Sequence, residues 1–497
     1  MVGIICRISR FREDHQDLRL LLELLNHRGE FRYIREIDVA EFHPGHKTKF
    51  ENITIGVKTN DTSEAINMKS GSLYVVDSLN HTDSIPSTFE TLIGDVLPLE
   101  NSVILRISNE GLTVARSSDG QCAMYVAEGE KSILLATEKK CLWRAGFYDI
   151  RPIEPNEIYH VPWNGDIWSS SIPRPNRNPW SGTQEEALGE LEGYLRESMN
   201  TIRNRKCGVL FSGGVDSSLI ATIAHEIAGE IILFSAGTPI SGDAKQTEYA
   251  ADLLGIERFY TELSQELVWN ILPDVIYAAE TCNRMDIEIA IPFFVSAGSA
   301  KEKGVELLLS GQGPDELFAG YAKHVRLFEA KGPRALEDQL VQEVSVTHEA
   351  NISRDERVIA VHNLNAFFPY LDQRFSELAL SIPADWKIRP NENPERKVLF
   401  RRLATRMGLP ESIAHMPKKA TQYSSGTTKL LTKSIISHAG LKEGLSKKEI
   451  EASCKEVLNE IGRLLGFPSD SRDTNESQYT LENTYKFMEK RGIIPQQ

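Results

Sequence analysis

Two short stretches of this chain place hydroxyls, glycines and carboxylates where they could handle phosphate. The first is Ser212-Gly213-Gly214-Val215-Asp216-Ser217-Ser218, which follows the apolar run at 209–211 and precedes Leu219, Ile220 and Ala221. A strand that turns through glycines into a helix start offers an anion unpaired backbone N–H groups and the positive end of a helix dipole. Gly213 and Gly214 let the backbone come close to a ligand, the Ser212 and Ser217 hydroxyls can donate to phosphate oxygens, and Asp216 can hold a Mg²⁺. The second stretch is Ser310-Gly311-Gln312-Gly313-Pro314-Asp315-Glu316-Leu317-Phe318-Ala319-Gly320-Tyr321, again after an apolar run, at 305–309. Asp315 supplies a second carboxylate to set against Asp216, and two carboxylates can share metal ions that bridge phosphate oxygens. Asp315 and Glu316 would also suit a plain helix N-terminus, whose dipole favours acids.

The elements that must carry these loops show in the periodicity. From Cys207 onward the pattern is strand–helix alternation, with strands at 208–211, 230–235, 258–261 and 305–309. Helices are expected at 217–228, 245–254, 269–279 and 293–303. This is the α/β pattern of a doubly wound parallel sheet, which binds ligands at the carboxyl ends of its strands. A helix enters this region at Thr183-Gln184-Glu185-Glu186, a capping box, with Leu188, Leu191, Leu195, Met199 and Ile202 on one face. Residues 1–172 instead alternate short apolar runs with turns, plus one helix near 17–25, which reads as a layered β-rich domain. Three prolines between Ile172 and Pro179 mark residues 173–182 as an extended linker. Past residue 320 the pattern is mostly helical; Ser446 and Glu449 cap a helix reaching about Leu465, residues 468–478 are polar, and a last helix ends near Arg491.

The 497 residues suffice for two or three domains with large cores, and 41% hydrophobic with 25% charged residues is ordinary for a globular chain. A net charge of −14 argues against nucleic-acid binding, which wants a basic face. No apolar run reaches the length of a membrane span, and Arg10, Arg12, Glu13 and Asp14 do not suit a signal peptide. The six scattered cysteines have no metal-ligand spacing and read as reduced thiols, which makes the cytoplasm the expected location. The expected partner is a small-molecule substrate.

The first loop lacks the Lys-Ser or Lys-Thr pair of a Walker loop and is no dinucleotide fingerprint. It resembles the pyrophosphate loop of enzymes that split ATP into AMP and pyrophosphate. Together with Ser310–Tyr321 it is similar to the synthetase domain of the asparagine synthetase family, and further matches follow in order. These are Phe368-Pro369-Tyr370-Leu371-Asp372, Lys397-Val398-Leu399-Phe400-Arg401, and Pro410-Glu411-Ser412-Ile413 with Pro417-Lys418-Lys419-Ala420 and Ser424-Ser425-Gly426. The stretch 319–372, with Ser353-Arg354-Asp355-Glu356-Arg357-Val358-Ile359, most resembles the asparagine synthetase domain-containing proteins. The resemblance implies an ATP pyrophosphatase domain at 183–430 followed by a helical extension at 431–497. It further implies that Ser212, Gly213, Gly214, Asp216, Ser217 and Ser218 bind the pyrophosphate end of ATP. Leu210, Ser235, Ala236 and Gly311 would line the adenosine side, and Asp216 and Asp315 would hold Mg²⁺. Asp216, Asp315, Glu316, Lys397 and Lys418 would be the catalytic groups, the two lysines neutralising departing pyrophosphate. Taken alone, each lysine reads as a solvated surface cation.

The N-terminal region resembles the family's glutaminase domain, an Ntn-hydrolase-like fold, through Gly3-Ile4-Ile5, His27-Arg28-Gly29, Val114-Ala115-Arg116 and Leu135-Ala136-Thr137-Glu138. The family's chemistry uses a cysteine before that glycine, with its own α-amine as base. Here Val2 stands there, and Cys6 is expected to be a buried strand thiol. The family's Asn-Gly-Glu is replaced by Val76-Asp77-Ser78, so no glutaminase activity is expected. In the synthetase half, Gln312 replaces a glutamate and cannot act as a base. Glu288 stands near where the family has an arginine, a change expected to repel a substrate carboxylate. The resemblance implies an ATP-dependent ligase taking ammonia or an amine, dimeric through its N-terminal domain. A nucleotide-binding scaffold whose catalysis has decayed, or a tRNA-modifying relative, are the alternatives; the acidic charge and missing Cys-x-x-Cys pairs count against the last.

Overall fold

In this computed structural model the described residues are 2–11, 16–44, 48–69, 71–78, 101–171, 178–239, 241–390, 393–416, 425–441, 444–468 and 479–491. The chain divides into two compact units, residues 1–176 and 177–497.

In the first unit, alternating and doubly apolar segments pair into antiparallel sheets. One six-stranded sheet contains β1 (Gly3–Ser9), β2 (Phe31–Asp38), β3 (Asn52–Thr59), β8 (Tyr125–Glu128), β9 (Ser132–Ala136) and β10 (Arg151–Pro152), in the order β10-β8-β9-β1-β3-β2. The second contains β4 (Ile66–Lys69), β5 (Ser72–Ser78), β6 (Ser102–Ile107), β7 (Gly111–Arg116), β11 (Glu157–Pro162) and β12 (Trp168–Ser171), in the order β12-β11-β7-β6-β5-β4. Side chains on a strand alternate between faces, so β1 sends Ile4, Cys6 and Ile8 into a core shared with Val75, Leu105, Val114 and Val161 of the second sheet. Ile5 joins a separate core with Leu18, Leu22, Leu25 and Leu142, under the helices Gln16–Glu23 and Lys139–Arg144. Both faces of β1 are therefore covered, and burial pushes the Cys6 thiol up to about 12.

The second unit is built on β13 (Lys206–Leu210), β14 (Glu230–Gly237), β15 (Arg258–Glu262), β16 (Leu307–Leu309) and β17 (Asn365–Phe367), ordered β15-β14-β13-β16-β17. All four ladders are parallel. Near-continuous apolar strands suit a sheet covered on both faces. Leu210, Ile232, Phe234 and Leu308 pack with Ala297 of the helix Arg284–Glu302 and Ile359 of the helix Ser353–Ala360. The alternate residues Val209, Leu233, Leu307 and Leu309 are also buried. Strand order reverses between β13 and β16, and the carboxyl ends of those two strands carry the two polar loops. Such a switch point leaves a crevice for ligand.

Two helices start earlier than the expected 269 and 293. Helices run over Gln265–Ala279 and Arg284–Glu302, straight through Pro273 and Pro292. The second starts at Arg284 because the Asn283 side chain accepts from the Met285 and Asp286 N–H groups at 3.0 and 3.3 Å. The strand expected from Val305 begins at Leu307. Near the C-terminal end, the helices Thr427–His438 and Glu482–Arg491 pack on Gln265–Ala279: Trp269 stacks on His438 with ring centroids 5.6 Å apart, and Asn483 Nδ2 donates to the Trp269 carbonyl at 2.6 Å.

Candidate active site

The loop after β13 becomes a helix, Val215–Ile227, whose start at Gly214 has no side-chain cap. Its first N–H groups thus face the crevice without a capping oxygen, the arrangement that favours an anion. Ser217 Oγ lies 3.1 Å from Ser212 Oγ and accepts from the Ser212 N–H at 3.2 Å, tying the turn to the helix. Gly213 sits at φ +67°, where a Cβ would also meet the Gln246 carbonyl at 2.9 Å. After β16, Gly311 passes so near the first loop that a Cβ would stand 3.0 Å from the Ser217 nitrogen.

A cavity opens between these loops. Leu210, Phe211, Ser212, Gly214, Val215, Asp216, Ser217, Phe234, Ser235 and Ala236 line one side. Gln246, Thr247, Pro292, Phe293 and Ser296 contribute from the helices that follow, and Ser310, Gly311, Gln312, Asp315, Lys397, Arg401 and Met416 complete the lining. Ser235 is fixed by donating from Oγ to the Phe211 carbonyl at 2.6 Å.

Asp216 and Asp315 do converge, but on a lysine. Lys397 Nζ donates to both Asp216 oxygens at 2.7 and 2.8 Å and lies 2.7 Å from Asp315 Oδ1. The surface cation that this lysine suggests in isolation is instead 1% exposed. Burial pulls its pKa down, against the pull of Asp216 upward. Arg401, the other cation lining the cavity, is likewise lowered by burial. Among the described residues no group of three or more His, Cys, Asp or Glu side chains could hold a metal.

Several expected residues lie elsewhere. Glu316 does not line the cavity; it accepts from Tyr321 Oη at 2.7 Å, and burial raises its pKa. Neither Gly213 nor Ser218 lines it, since Ser218 is buried on the inner face of its helix. Lys418 and its neighbours 417–424 fall outside the described residues. Glu288 is not an unopposed anion: Arg284 Nε donates to it at 2.8 Å and Thr428 Oγ1 at 2.9 Å. It does not line this cavity.

Gln312 does line it, with Nε2 donating to Asp355 Oδ2 at 2.8 Å, while Arg354 Nε donates to Asp355 Oδ1 at 2.8 Å. Gln246, Thr247, Phe293 and Arg401 went unrecognised as cavity residues. The signal for Gln246 and Thr247 was their helix, which follows directly from the carboxyl end of β14.

The asparagine synthase family model matches residues 190–344 and 328–456. The chain belongs to the asparagine synthase family. A provisionally named asparagine synthetase (glutamine-hydrolyzing) 1 of Methanocaldococcus jannaschii is 30% identical over 393 residues, 69% of this chain and 71% of that one. Asparagine synthetase (glutamine-hydrolyzing) 1 of Arabidopsis thaliana is 26% identical over 403 residues, 76% of this chain. This member of the family spans 64% of that plant relative's length. Among solved structures, an NH3-dependent NAD synthetase from Campylobacter jejuni aligns with 59% of the chain at 14% identity, with a TM-score of 0.25 that carries no argument. No helix among the described residues is long and apolar enough to cross a membrane.

Proposed function

We propose that this protein is an ATP-dependent carbon–nitrogen ligase of the AMP-forming type. The observation that carries the reading is the pair of loops at the carboxyl ends of β13 and β16, facing one cavity with Asp216, Asp315, Lys397 and Arg401 around it. The uncapped start of Val215–Ile227 and the Ser212 and Ser217 hydroxyls bind the polyphosphate. Leu210, Ser235, Ala236 and Gly311 form the side that takes adenosine. Asp216 and Asp315 fit a Mg²⁺ ion, because their carboxylates already point at one shared cation position. The metal supplies neutralising charge for the phosphates.

In this reaction a substrate carboxylate oxygen attacks the α-phosphorus. The bond from that phosphorus to the bridging oxygen breaks, and pyrophosphate leaves with the electron pair. Lys397 and Arg401 meet the negative charge that gathers on it. The lone pair of ammonia or an amine then attacks the acyl carbon, AMP departs, and the nitrogen loses a proton to solvent. Gln312 has no basic group to take that proton.

Substrate-dependent exchange of labelled pyrophosphate into ATP tests the proposal, with aspartate first and a set of other carboxylates next. Exchange with one substrate is expected. ATP binding without exchange for any substrate would replace the ligase by a nucleotide-binding scaffold.

The N-terminal unit is assigned no glutamine hydrolysis. The Val2 nitrogen donates to Asp77 Oδ1 at 2.8 Å and the Val2 side chain belongs to the inter-sheet core, so no nucleophile stands before Gly3. Ion-exchange measurement of glutamate released from glutamine is expected to show none, and turnover would overturn the assignment.

A further inference from the structure

The two acids assigned to a divalent cation already hold a cation of the chain's own. Three carboxylate oxygens lie 2.7–2.8 Å from Lys397 Nζ, two from Asp216 and one from Asp315. The backbone is committed to this placement. Lys397 has φ +57°, a left-handed conformation unfavourable to any residue with a Cβ. Its carbonyl accepts from the Arg401 N–H at 2.8 Å, and Val398 N–H donates to the Lys387 carbonyl at 3.0 Å, so the lysine is held from both sides. Behind the pair the chain passes as Gly320, where a Cβ would collide with Asp315 Oδ1 and Lys397 Cε.

Magnesium draws carboxylate oxygens to about 2.0–2.1 Å and sits where those oxygens converge. An ammonium and a metal ion cannot share that point, since like charges at such range repel strongly in a site away from water. We propose that Lys397 is a resident counter-ion that keeps free divalent metal off Asp216 and Asp315. The lysine yields the position only to metal arriving with a polyphosphate, whose oxygens then receive its ammonium. The second half of this inference rests on the reading of the cavity as an ATP site; the first half concerns the nucleotide-free protein and stands apart from it.

Mn²⁺ titration followed by electron paramagnetic resonance, without nucleotide, tests the exclusion. The unaltered protein should show no tight site. Lys397→Met should gain one, at least about tenfold tighter, because the two carboxylates lose their buried partner. Adding Asp315→Asn to that variant should remove it. Equal Mn²⁺ affinity in the unaltered protein and in Lys397→Met would overturn the proposal. Should Lys397→Met fail to fold by circular dichroism, the ¹⁵N-lysine spectrum of the unaltered protein decides, with the Nζ signal assigned by its loss in Lys397→Arg. That signal should hold still under Mg²⁺ alone and move when ATP joins it. Movement with Mg²⁺ alone overturns the exclusion, and a still signal while Mg-ATP binds overturns the hand-over. If no nucleotide binds while Mn²⁺ stays excluded, the ATP reading fails and the counter-ion role remains.

Discussion

Asp216 and Lys397 are 181 residues apart in sequence, and each has its meaning changed by the other. Asp216 could be singled out from the sequence because it sits in a recognisable loop. Lys397 alone looked like a surface cation, since nothing in its own neighbourhood tells of a buried partner so distant. Replacing Asp216 by Asn keeps the shape but removes a charge from beside that lysine and from the cavity. Pyrophosphate exchange is expected to fall at least about 100-fold, the scale on which a preorganised charge acts on a transition state; a loss below tenfold in the exchange assay would place Asp216 outside the chemistry. Glu343 shows a different use of charge. It takes contacts from His324 Nε2 at 2.9 Å, Lys323 Nζ at 2.8 Å and Gln339 Nε2 at 2.8 Å. Burial raises its pKa, but those three contacts outweigh it and bring the group from 4.5 to about 2. A carboxylate depressed on folding stabilises at pH above its unfolded value and loses that contribution as pH falls through the folded one. Glu343→Gln should therefore be less stable than the parent at pH 7, and the difference should shrink between about 4.5 and about 2 in acid unfolding followed by circular dichroism.

At the scale of elements, signals local in sequence were readable and signals carried by packing were not. The capping boxes Thr183–Glu186 and Ser446–Glu449 both form, and the helices they open run to Met199 and Leu464. The strand–turn–helix order around Ser212 was readable for the same reason: glycine, hydroxyl and apolar run are adjacent. The helix Arg284–Glu302 starts well before its expected beginning at 293 and holds Pro292 inside it; nineteen residues can absorb one missing N–H when neighbours bury it. The π-helical turn His348–Ile352 left no trace in the residue pattern; its Asn351 Nδ2 reaches Glu316 Oε1 at 3.5 Å, a contact made possible only by the fold. Nor could the Gln312–Asp355 bond be read, although both motifs had been singled out. Gly311 is an element-scale residue, since its missing Cβ sets how closely two loops approach. Gly311→Val should force them apart at the Ser217 nitrogen. ATP affinity by calorimetry is expected to drop about tenfold or more, one lost anion contact or hydrogen bond being worth that much, while far-ultraviolet circular dichroism stays unchanged.

Over the whole molecule, the cores described above each draw on one unit: those of the antiparallel sheets on residues 1–176, that on the parallel sheet on residues 177–497. In residues 1–176, Glu138 is a buried carboxylate that takes His27 Nε2 at 2.7 Å, Arg28 Nε at 2.5 Å and Lys140 Nζ as partners. Burial works to raise its pKa, yet the charges around it hold it well below the usual carboxylate range. Glu138→Gln would leave those basic groups buried without an anion, a loss of about 3 kcal/mol by the scale of broken buried pairs. The two polar loops and their cavity belong wholly to residues 177–497. A ligand that binds only the folded form stabilises it by about 2.7 kcal/mol at a hundred times its dissociation constant. Scanning calorimetry should then separate the two effects. Mg-ATP should raise the transition of the unit that carries Ser212 and Ser310, and Glu138→Gln should lower the other transition while leaving the nucleotide-induced rise in place. One shared transition, shifted equally by substitution and nucleotide, would mean that the two units unfold as a single cooperative body and that Glu138 supports the ATP site through global stability.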